Sequence, residues 1–213
     1  MYMKQVCYIV AASDWYGDVI EKKEQDLVIA VDGGYDHVLK MGIEPDIIVG
    51  DFDSVQATLP DEHVIVLNPI KDETDTLYAI GLAKERGYQN IFIYGGTGGG
   101  RLSHTIANIQ TLSFYEELFV VLVDKDEAVF LLKNARVVFS KACEGYLSVF
   151  SITEKSYGVT ERGLKYEIDS TELSSSFPIG VSNEFIGIES SISVEKGTLL
   201  VAMNKKFIRE INK

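Results

Sequence analysis

Apolar and polar residues are arranged in two different ways along this chain of 213 residues. Up to about residue 133, short apolar runs are separated by segments in which apolar residues recur at helical spacing. This pattern is typical of parallel strands that are buried on both faces and joined by helices. The predicted strands cover 6–11, 27–31, 47–49, 64–67, 91–94 and 118–123, and the predicted helices cover 15–25, 35–41, 75–85 and 102–115.

From residue 134 onward, apolar and polar side chains alternate in short segments, and turn signals such as Glu195-Lys196-Gly197 separate some of them. Alternation of this kind predicts an antiparallel sandwich or barrel. The polar stretch 170–180 is predicted to be a loop. The predicted strands cover 136–140, 146–152, 157–160, 164–168, 184–188, 190–194 and 198–203.

The two patterns together predict two domains. Residues 1–133 would form an α/β domain whose mostly parallel sheet, with flanking helices, is Rossmann-like. Residues 134–213 would form an all-β antiparallel sandwich. Charge divides in the same way, because residues 1–133 carry 22 acidic and 10 basic side chains and the remainder carries 10 of each.

The net charge of −12 and the pI near 4.7 argue against nucleic acid or an anionic membrane as a partner. No segment approaches the roughly 18 apolar residues of a membrane span. The amino-terminal apolar run is better explained as a strand than as a signal peptide. Cys7 and Cys143 lie alone in apolar segments and are expected to be buried and reduced, so we expect a cytoplasmic protein.

Eleven carboxylates and only two lysines lie between Asp32 and Asp75. The acids cluster in DGG (32–34), PDIIVGDFDS (45–54) and KDETDT (71–76), and each cluster lies at the carboxyl end of a predicted strand. The carboxyl ends of parallel strands are where open α/β sheets bind ligands. Clustered carboxylates repel phosphate unless a divalent cation lies between them, so the clusters indicate a Mg²⁺ site.

Two acidic pairs have the spacing of metal ligands. Asp51 and Asp53 are two residues apart, and on an extended segment both would point toward one cation. Asp72 and Asp75 are three residues apart at the start of a predicted helix, where Asp75 or Thr74 could cap the helix. Capping and metal binding are compatible, and the sequence leaves both open.

The loop GGTGGGR comprises Gly95, Gly96, Thr97, Gly98, Gly99, Gly100 and Arg101. Backbone N–H groups of such a loop can approach phosphate closely, and a guanidinium pairs with phosphate bidentately. The spacing fits neither G-x-G-x-x-G nor the P-loop. His104 and Asn108 share one face of the following helix, and His104 could serve as a structural cap or as a catalytic group.

These features favour a magnesium–nucleotide phosphoryl-transfer enzyme, and two alternatives remain open. A Mg²⁺-dependent phosphatase of the haloacid-dehalogenase type also uses D-x-D, but normally after the first strand. Here that strand ends in Ala11-Ala12-Ser13-Asp14. A nucleotide-sensing module would need the loop but not so many cation ligands.

Taken in order, DGG, PDIIVGDFDS, KDETDT and GGTGGGRLSH with Asn108 resemble the thiamine pyrophosphokinases of bacteria. The segments GVTERGLKYEID (158–169) and GVSNEF (180–185) resemble segments in the carboxyl-terminal half of that family's sequences. The resemblance covers nearly the whole chain. It implies conversion of ATP and thiamine to AMP and thiamine diphosphate by a homodimer with shared active sites.

The resemblance also implies roles for individual residues. Asp51, Asp53 and Asp75 would hold Mg²⁺, and Ser182 and Asn183 would face thiamine. The family usually has Asp where this chain has Ser103, so an acidic role there is not carried over. The implied catalytic set is Asp51, Asp53, Asp72, Asp75 and Arg101, and the implied ATP-binding set is Asp32, Gly33, Gly34, 95–101, His104 and Asn108.

Overall fold

The structure is a computed structural model, and it describes residues 5–70, 72–115 and 117–212. The chain divides into two compact units, a first that ends at Lys125 and a second that begins at Asp126. The boundary expected from the sequence, after Lys133, lies further along the chain. The difference arises because Glu127–Lys133 is a strand whose partner, Thr198–Asn204, belongs to the second unit.

A parallel sheet forms the centre of the first unit. In its described part the strands follow the order β4-β3-β2-β1-β5-β6, and every pairing is parallel. All residues of β1, β2 and β3 are buried, which explains why these strands are continuous apolar runs. The strands are β1 (Cys7–Val10), β2 (Leu27–Val31), β3 (Ile47–Gly50), β4 (Val64–Val66), β5 (Asn90–Tyr94) and β6 (Phe119–Val123).

Three helices, α1 (Gly34–Lys40), α2 (Asp75–Glu85) and α3 (Leu102–Thr111), connect strands in the described part of this unit. The predicted helix over 15–25 is wrong, because residues 11–26 contain no helix. Gly17 has φ +82 there, and the carboxylate of Asp26 ties this segment to the sheet by accepting from the N–H groups of Val6 and Lys23. None of the described helices is long and apolar enough to cross a membrane.

The second unit contains antiparallel strands in two sets. One has the order β12-β9-β14-β7 and the other β11-β10-β13-β8-β15. In β7 and β9 every second residue is buried, so the predicted alternation of an antiparallel sandwich is present. The strands are β7 (Glu127–Lys133), β8 (Arg136–Phe139), β9 (Tyr146–Ser151), β10 (Lys155–Arg162), β11 (Ile168–Ser174), β12 (Asn183–Glu184), β13 (Ser190–Ser193), β14 (Thr198–Asn204) and β15 (Ile211–Asn212), with a 3-10 helix over Lys205–Glu210.

Two predictions in the second half are corrected. Residues 163–167 form the loop between β10 and β11, so the strand predicted over 164–168 begins only at Ile168 and runs into the supposed loop 170–180. The polarity of β11 concealed it, because it lies at a sheet edge and most of its residues are at least partly exposed. The strand predicted over 184–188 is reduced to β12.

Candidate active site

The acidic and glycine clusters lie at the carboxyl edge of the parallel sheet, as the sequence predicts. Asp32 follows β2, Asp51 follows β3, and Gly95 follows β5. Because adjacent parallel strands end at the same edge, these residues are brought together by the fold itself.

Asp32 is the centre of the acidic cluster. Its Oδ1 accepts hydrogen bonds from the backbone N–H groups of Asp51 (3.0 Å) and Phe52 (3.3 Å). Its carboxyl group also hydrogen-bonds that of Asp75, the first residue of α2. A Cβ on Gly50 would lie 1.7 Å from Asp32 Oδ1, so only glycine at position 50 lets the carboxylate occupy this place.

Electrostatic repulsion is concentrated at Asp32. Burial, and then the negative charge of Asp75, raises the pKa of Asp32 to about 6, and the charge of Asp51 acts in the same direction. The backbone N–H of Phe52 opposes the rise. A cation placed here would relieve this repulsion and favour the ionised form.

The donor set around Asp32 fits Mg²⁺. Among the residues that the structure describes, no three His, Cys, Asp or Glu side chains are grouped to hold a metal ion. Mg²⁺ usually takes only one or two carboxylates, with water and substrate phosphates completing its octahedron. The pair formed by Asp32 and Asp75 meets that requirement.

The predicted arrangement of Asp51 and Asp53 on an extended segment is wrong. Phe52 has φ +63, and the N–H of Asp53 turns back to Asp51 Oδ1 at 3.3 Å. Asp53 is exposed as a result. Asp72 is also exposed, and the helix start that follows it is capped by Thr74, whose hydroxyl accepts from Leu77 N at 3.2 Å.

Gly33 and Gly34 serve close packing at the start of α1. A Cβ on Gly34 would lie 1.9 Å from the carbonyl oxygen of Val10, and one on Gly33 would lie 3.3 Å from Ala12 Cβ. The glycines therefore let the first turn of α1 lie against the end of β1 and the residues that follow it.

The glycine loop is held from three sides. Asn108 donates from Nδ2 to the carbonyl oxygen of Gly96 at 2.7 Å, and Asp14 Oδ2 accepts from Gly99 N at 2.8 Å. The hydroxyl of Thr97 donates to Asp124 Oδ1. Three glycines of the loop adopt left-handed φ angles, and the residues are Gly95 (+63), Gly98 (+72) and Gly99 (+69).

Sequence reasoning missed Asp14 and Asp124 as parts of this site. Asp124 directly follows β6, and Asp14 lies in the segment after β1. The rule that identified Asp32 and Asp51, an acid at the carboxyl end of a parallel strand, would have found Asp124. Asp14 directly precedes the helix predicted over 15–25, which does not form, and its carboxylate binds the glycine loop instead.

The start of α3 contributes exposed groups. Arg101 occupies the N-cap position without a capping side-chain hydrogen bond, and Ser103 and His104 in the first turn are exposed. Asn108, four residues after His104 in the same helix, is buried and donates to the loop. Arg101 is therefore placed at the end of the loop with its side chain open to solvent.

In the second unit, Ser182 and Asn183 have opposite environments. Ser182 is exposed and has φ +61. Asn183 is buried, and its amide makes hydrogen bonds to Glu161, Tyr166 and the backbone N–H of Glu184. Burial raises the pKa of Glu161, and the hydrogen bond from Asn183 opposes that rise.

Two family models match the chain, one on each side of the boundary between the units. Residues 20–122 match the catalytic domain of thiamin pyrophosphokinase. Residues 135–199 match the vitamin B1 binding domain of thiamin pyrophosphokinase. The two matches together span most of the sequence.

Sequence and structure comparisons with individual proteins point to the same family as the two family models. A thiamine pyrophosphokinase of Bacillus subtilis is 30% identical over 189 residues, which is 84% of this chain and 87% of that protein. A crystal structure of thiamine pyrophosphokinase from Bacillus subtilis superposes with a TM-score of 0.83 at 26% identity and covers 94% of this chain and 99% of its own. That from Geobacillus thermodenitrificans gives 0.83 at 25% identity over 94% of this chain and 97% of its own.

Proposed function

Because the chain belongs to the thiamine pyrophosphokinase family and is an enzyme of that activity, we propose that it transfers the pyrophosphoryl group of MgATP to the hydroxyl of thiamine. Thiamine diphosphate and AMP are then the products. The observation that carries the choice of MgATP is the contact between the carboxyl groups of Asp32 and Asp75 at the edge of the sheet that also bears the glycine loop.

In this proposal the carboxylates of Asp32 and Asp75 hold the metal, Asp51 lies next to Asp32, and Asp53 and Asp72 are exposed. Mg²⁺, when bound, neutralises charge on the phosphate oxygens. Asp32 is kept in place by the backbone N–H groups of residues 51 and 52, so the site is ordered before substrate arrives. Ordered charges that need no rearrangement are the usual source of such electrostatic stabilisation.

The glycine loop and Arg101 orient the triphosphate. The loop's backbone conformation is already set by Asp14, Asn108 and Asp124. Arg101 can then pair with a phosphate without leaving another partner buried and unpaired. The thiamine hydroxyl attacks the β-phosphorus directly, so the protein mainly positions the reactants and stabilises charge.

The second unit binds thiamine in this proposal. Ser182 presents an exposed polar side chain that suits the aminopyrimidine edge of thiamine, and the exposed ring of Tyr166 can stack on an aromatic ring. We extend the proposal to a homodimer in which one subunit supplies the ATP site and the other the thiamine site.

Three finer assignments accompany the proposal. The first unit is Rossmann-like, supported by a strand order that reverses at β1. It corresponds to the ATP-binding catalytic domain, and the second unit to the thiamine-binding domain. The protein is cytoplasmic, supported by the thiols of Cys7 and Cys143, which are buried in separate units.

An assay of AMP release tests the reaction. AMP should appear only when ATP, Mg²⁺ and thiamine are all present, in a one-to-one ratio with thiamine diphosphate. Release of ADP together with thiamine monophosphate would contradict pyrophosphoryl transfer. Release of inorganic phosphate without thiamine would instead favour the phosphatase alternative.

A further inference from the structure

The side-chain amide of Asn183 joins three parts of the second unit. Its Nδ2 donates to Glu161 Oε2 at the end of β10 and to the carbonyl oxygen of Tyr166 in the following loop, both at 2.7 Å. Its Oδ1 accepts from the N–H of Tyr166 at 3.0 Å and from that of Glu184 at 2.9 Å. Both donors and both acceptor sites of the amide are therefore in use.

The chemistry of the partners fixes the orientation of this amide. A backbone carbonyl can only accept and a backbone N–H can only donate, so the two polar groups of Tyr166 specify which end of Asn183 faces each. Glu161 is 3% exposed, and its carboxylate accepts from the same Nδ2. A buried carboxylate needs such a bond, because an unsatisfied one would be costly.

The loop that Asn183 holds is constrained at its other end as well. Gly163 has φ +69, donates to Glu167 Oε1 at 2.6 Å, and would place a Cβ 2.3 Å from the carbonyl oxygen of Glu189. Leu164 is buried and bridges to Phe185. The backbone of the loop is thus fixed at both ends, while Tyr166 itself is 62% exposed.

We propose that Glu161 and Asn183 are positioning residues for thiamine, which hold Tyr166 and Ser182 in place without touching the substrate. This inference rests on the proposed function, in which the second unit binds thiamine. It replaces the expectation that Asn183 contacts thiamine, since that amide has no donor or acceptor left to offer. Side chains whose backbone is already ordered lose less entropy when a ligand binds.

The variant Asn183→Asp tests the arrangement most directly. It keeps both acceptor bonds but replaces Nδ2 by an oxygen, which would face the carboxylate of Glu161 and the carbonyl of Tyr166. We expect KM for thiamine to rise about tenfold or more, as small misplacements of substrate-holding groups do. KM for ATP should change less than about twofold, because the ATP-site residues in our proposal belong to the other unit.

A second variant separates positioning from loss of folding. In the double variant Glu161→Gln/Asn183→Asp, the side-chain amide at position 161 can donate to the carboxylate at position 183. The hydrogen bond between the two side chains is then restored in the opposite direction. This double variant should recover at least about threefold in thiamine KM relative to Asn183→Asp. Glu172→Gln, which removes only an exposed ion pair with Lys155 elsewhere on β10 and β11, is the matched control and should leave both KM values unchanged.

Hydrogen exchange supplies a readout that does not depend on catalysis. The amides of Tyr166 and Glu184 should exchange faster in Asn183→Ala than in the parent protein, measured without ligands. The inference is overturned if this exchange is unchanged, or if folded Asn183→Asp keeps the parent KM for thiamine. If instead the parent protein itself releases no AMP with thiamine, the proposed function has failed and the hydrogen-bond network remains as described.

Discussion

Asp32 and Asn183 are both surrounded by polar groups, but the two environments differ. Like charges lie close together around Asp32, whereas donors and acceptors are matched around Asn183. Around Asp32, burial together with the close approach of other carboxylates raises the pKa of this residue to about 6. Around Asn183, each side-chain donor faces an acceptor, and the buried carboxylate of Glu161 has an amide partner. The first arrangement holds charge for a cation and phosphates, whereas the second holds backbone in a fixed shape.

The difference has a consequence for mutations. Removing a carboxylate from a cluster of like charges relieves repulsion, so such changes should affect catalysis far more than folding. Removing one partner from a satisfied buried pair leaves a polar group unpaired, so such changes should also reduce the free energy of unfolding. The two regions can therefore be distinguished by measuring activity and stability on the same variants.

The largest expected effect is on activity and comes from Asp75→Asn. Loss of one carboxylate of the pair should lower kcat by about 10² to 10³, as the loss of a preorganised electrostatic group does. Asp75→Asn should change the free energy of unfolding by less than about 1 kcal/mol. Glu161→Leu, in contrast, should lower the free energy of unfolding by about 1–3 kcal/mol, because the amide of Asn183 loses its partner. Steady-state AMP release and urea unfolding measure the two quantities.

Asp61→Asn is the matched control, because Asp61 is an exposed carboxylate in the same acidic stretch of sequence. It should leave kcat within about twofold of the parent value, as surface substitutions away from such features usually do. If Asp75→Asn behaved like Asp61→Asn, the pair with Asp32 would not be part of the catalytic site.

The next effect comes from two glycine positions at the same edge of the sheet. Gly50→Ala would force a Cβ to 1.7 Å from Asp32 Oδ1, so the carboxylate must move and kcat should fall by at least about tenfold. Gly100→Ala meets no atom within 4 Å and needs no left-handed φ, so it should be tolerated. Equal loss of activity in the two variants would show that Gly100 matters for a reason other than packing.

Gly50 shows which features of the site could be predicted from the sequence alone and which could not. Buried parallel strands appear as uninterrupted apolar runs, so the sheet of the first unit and the clusters at its carboxyl edge could be predicted. The pairing of Asp32 with Asp75 could not, because it depends on the left-handed φ of Asp32 and on the missing Cβ of residue 50. Nor could the sequence reveal that the side-chain amide of Asn183 is already hydrogen-bonded within the second unit.

A pH dependence of stability follows from Asp32. An unfolded aspartate ionises near pH 3.9, whereas in the folded protein the pKa of Asp32 is about 6. Between these values the folded state binds more protons, so this group lowers stability as pH rises through that window. Partial exposure of Asp32 reduces the size of the effect.

Asp32→Asn removes this dependence and can still accept from the N–H groups of residues 51 and 52. In the presence of a chelator, its free energy of unfolding should therefore rise relative to the parent protein between about pH 4 and pH 6 and then stay level. Urea unfolding at half-unit pH intervals measures the difference. A relative change of the opposite sign would mean that Asp32 is stabilised as the carboxylate in the folded state.

The smallest effect is expected at Ser103, where the family usually has aspartate. Ser103 is exposed in the first turn of α3, and that turn contains no acidic residue. Ser103→Asp should stabilise the protein by about 0.3–1 kcal/mol, because a negative charge there interacts favourably with the helix dipole. Since Asp32, Asp75 and Arg101 are intact, kcat should stay within about tenfold of the parent value.

Ser103→Asn is the control for Ser103→Asp, because asparagine has the size of aspartate without its charge and so separates the effect of charge from that of size. A rise in kcat of about 10² or more for Ser103→Asp alone would match the gain of a general base, and the acidic cluster around Asp32 would then be an incomplete account of catalysis in this chain.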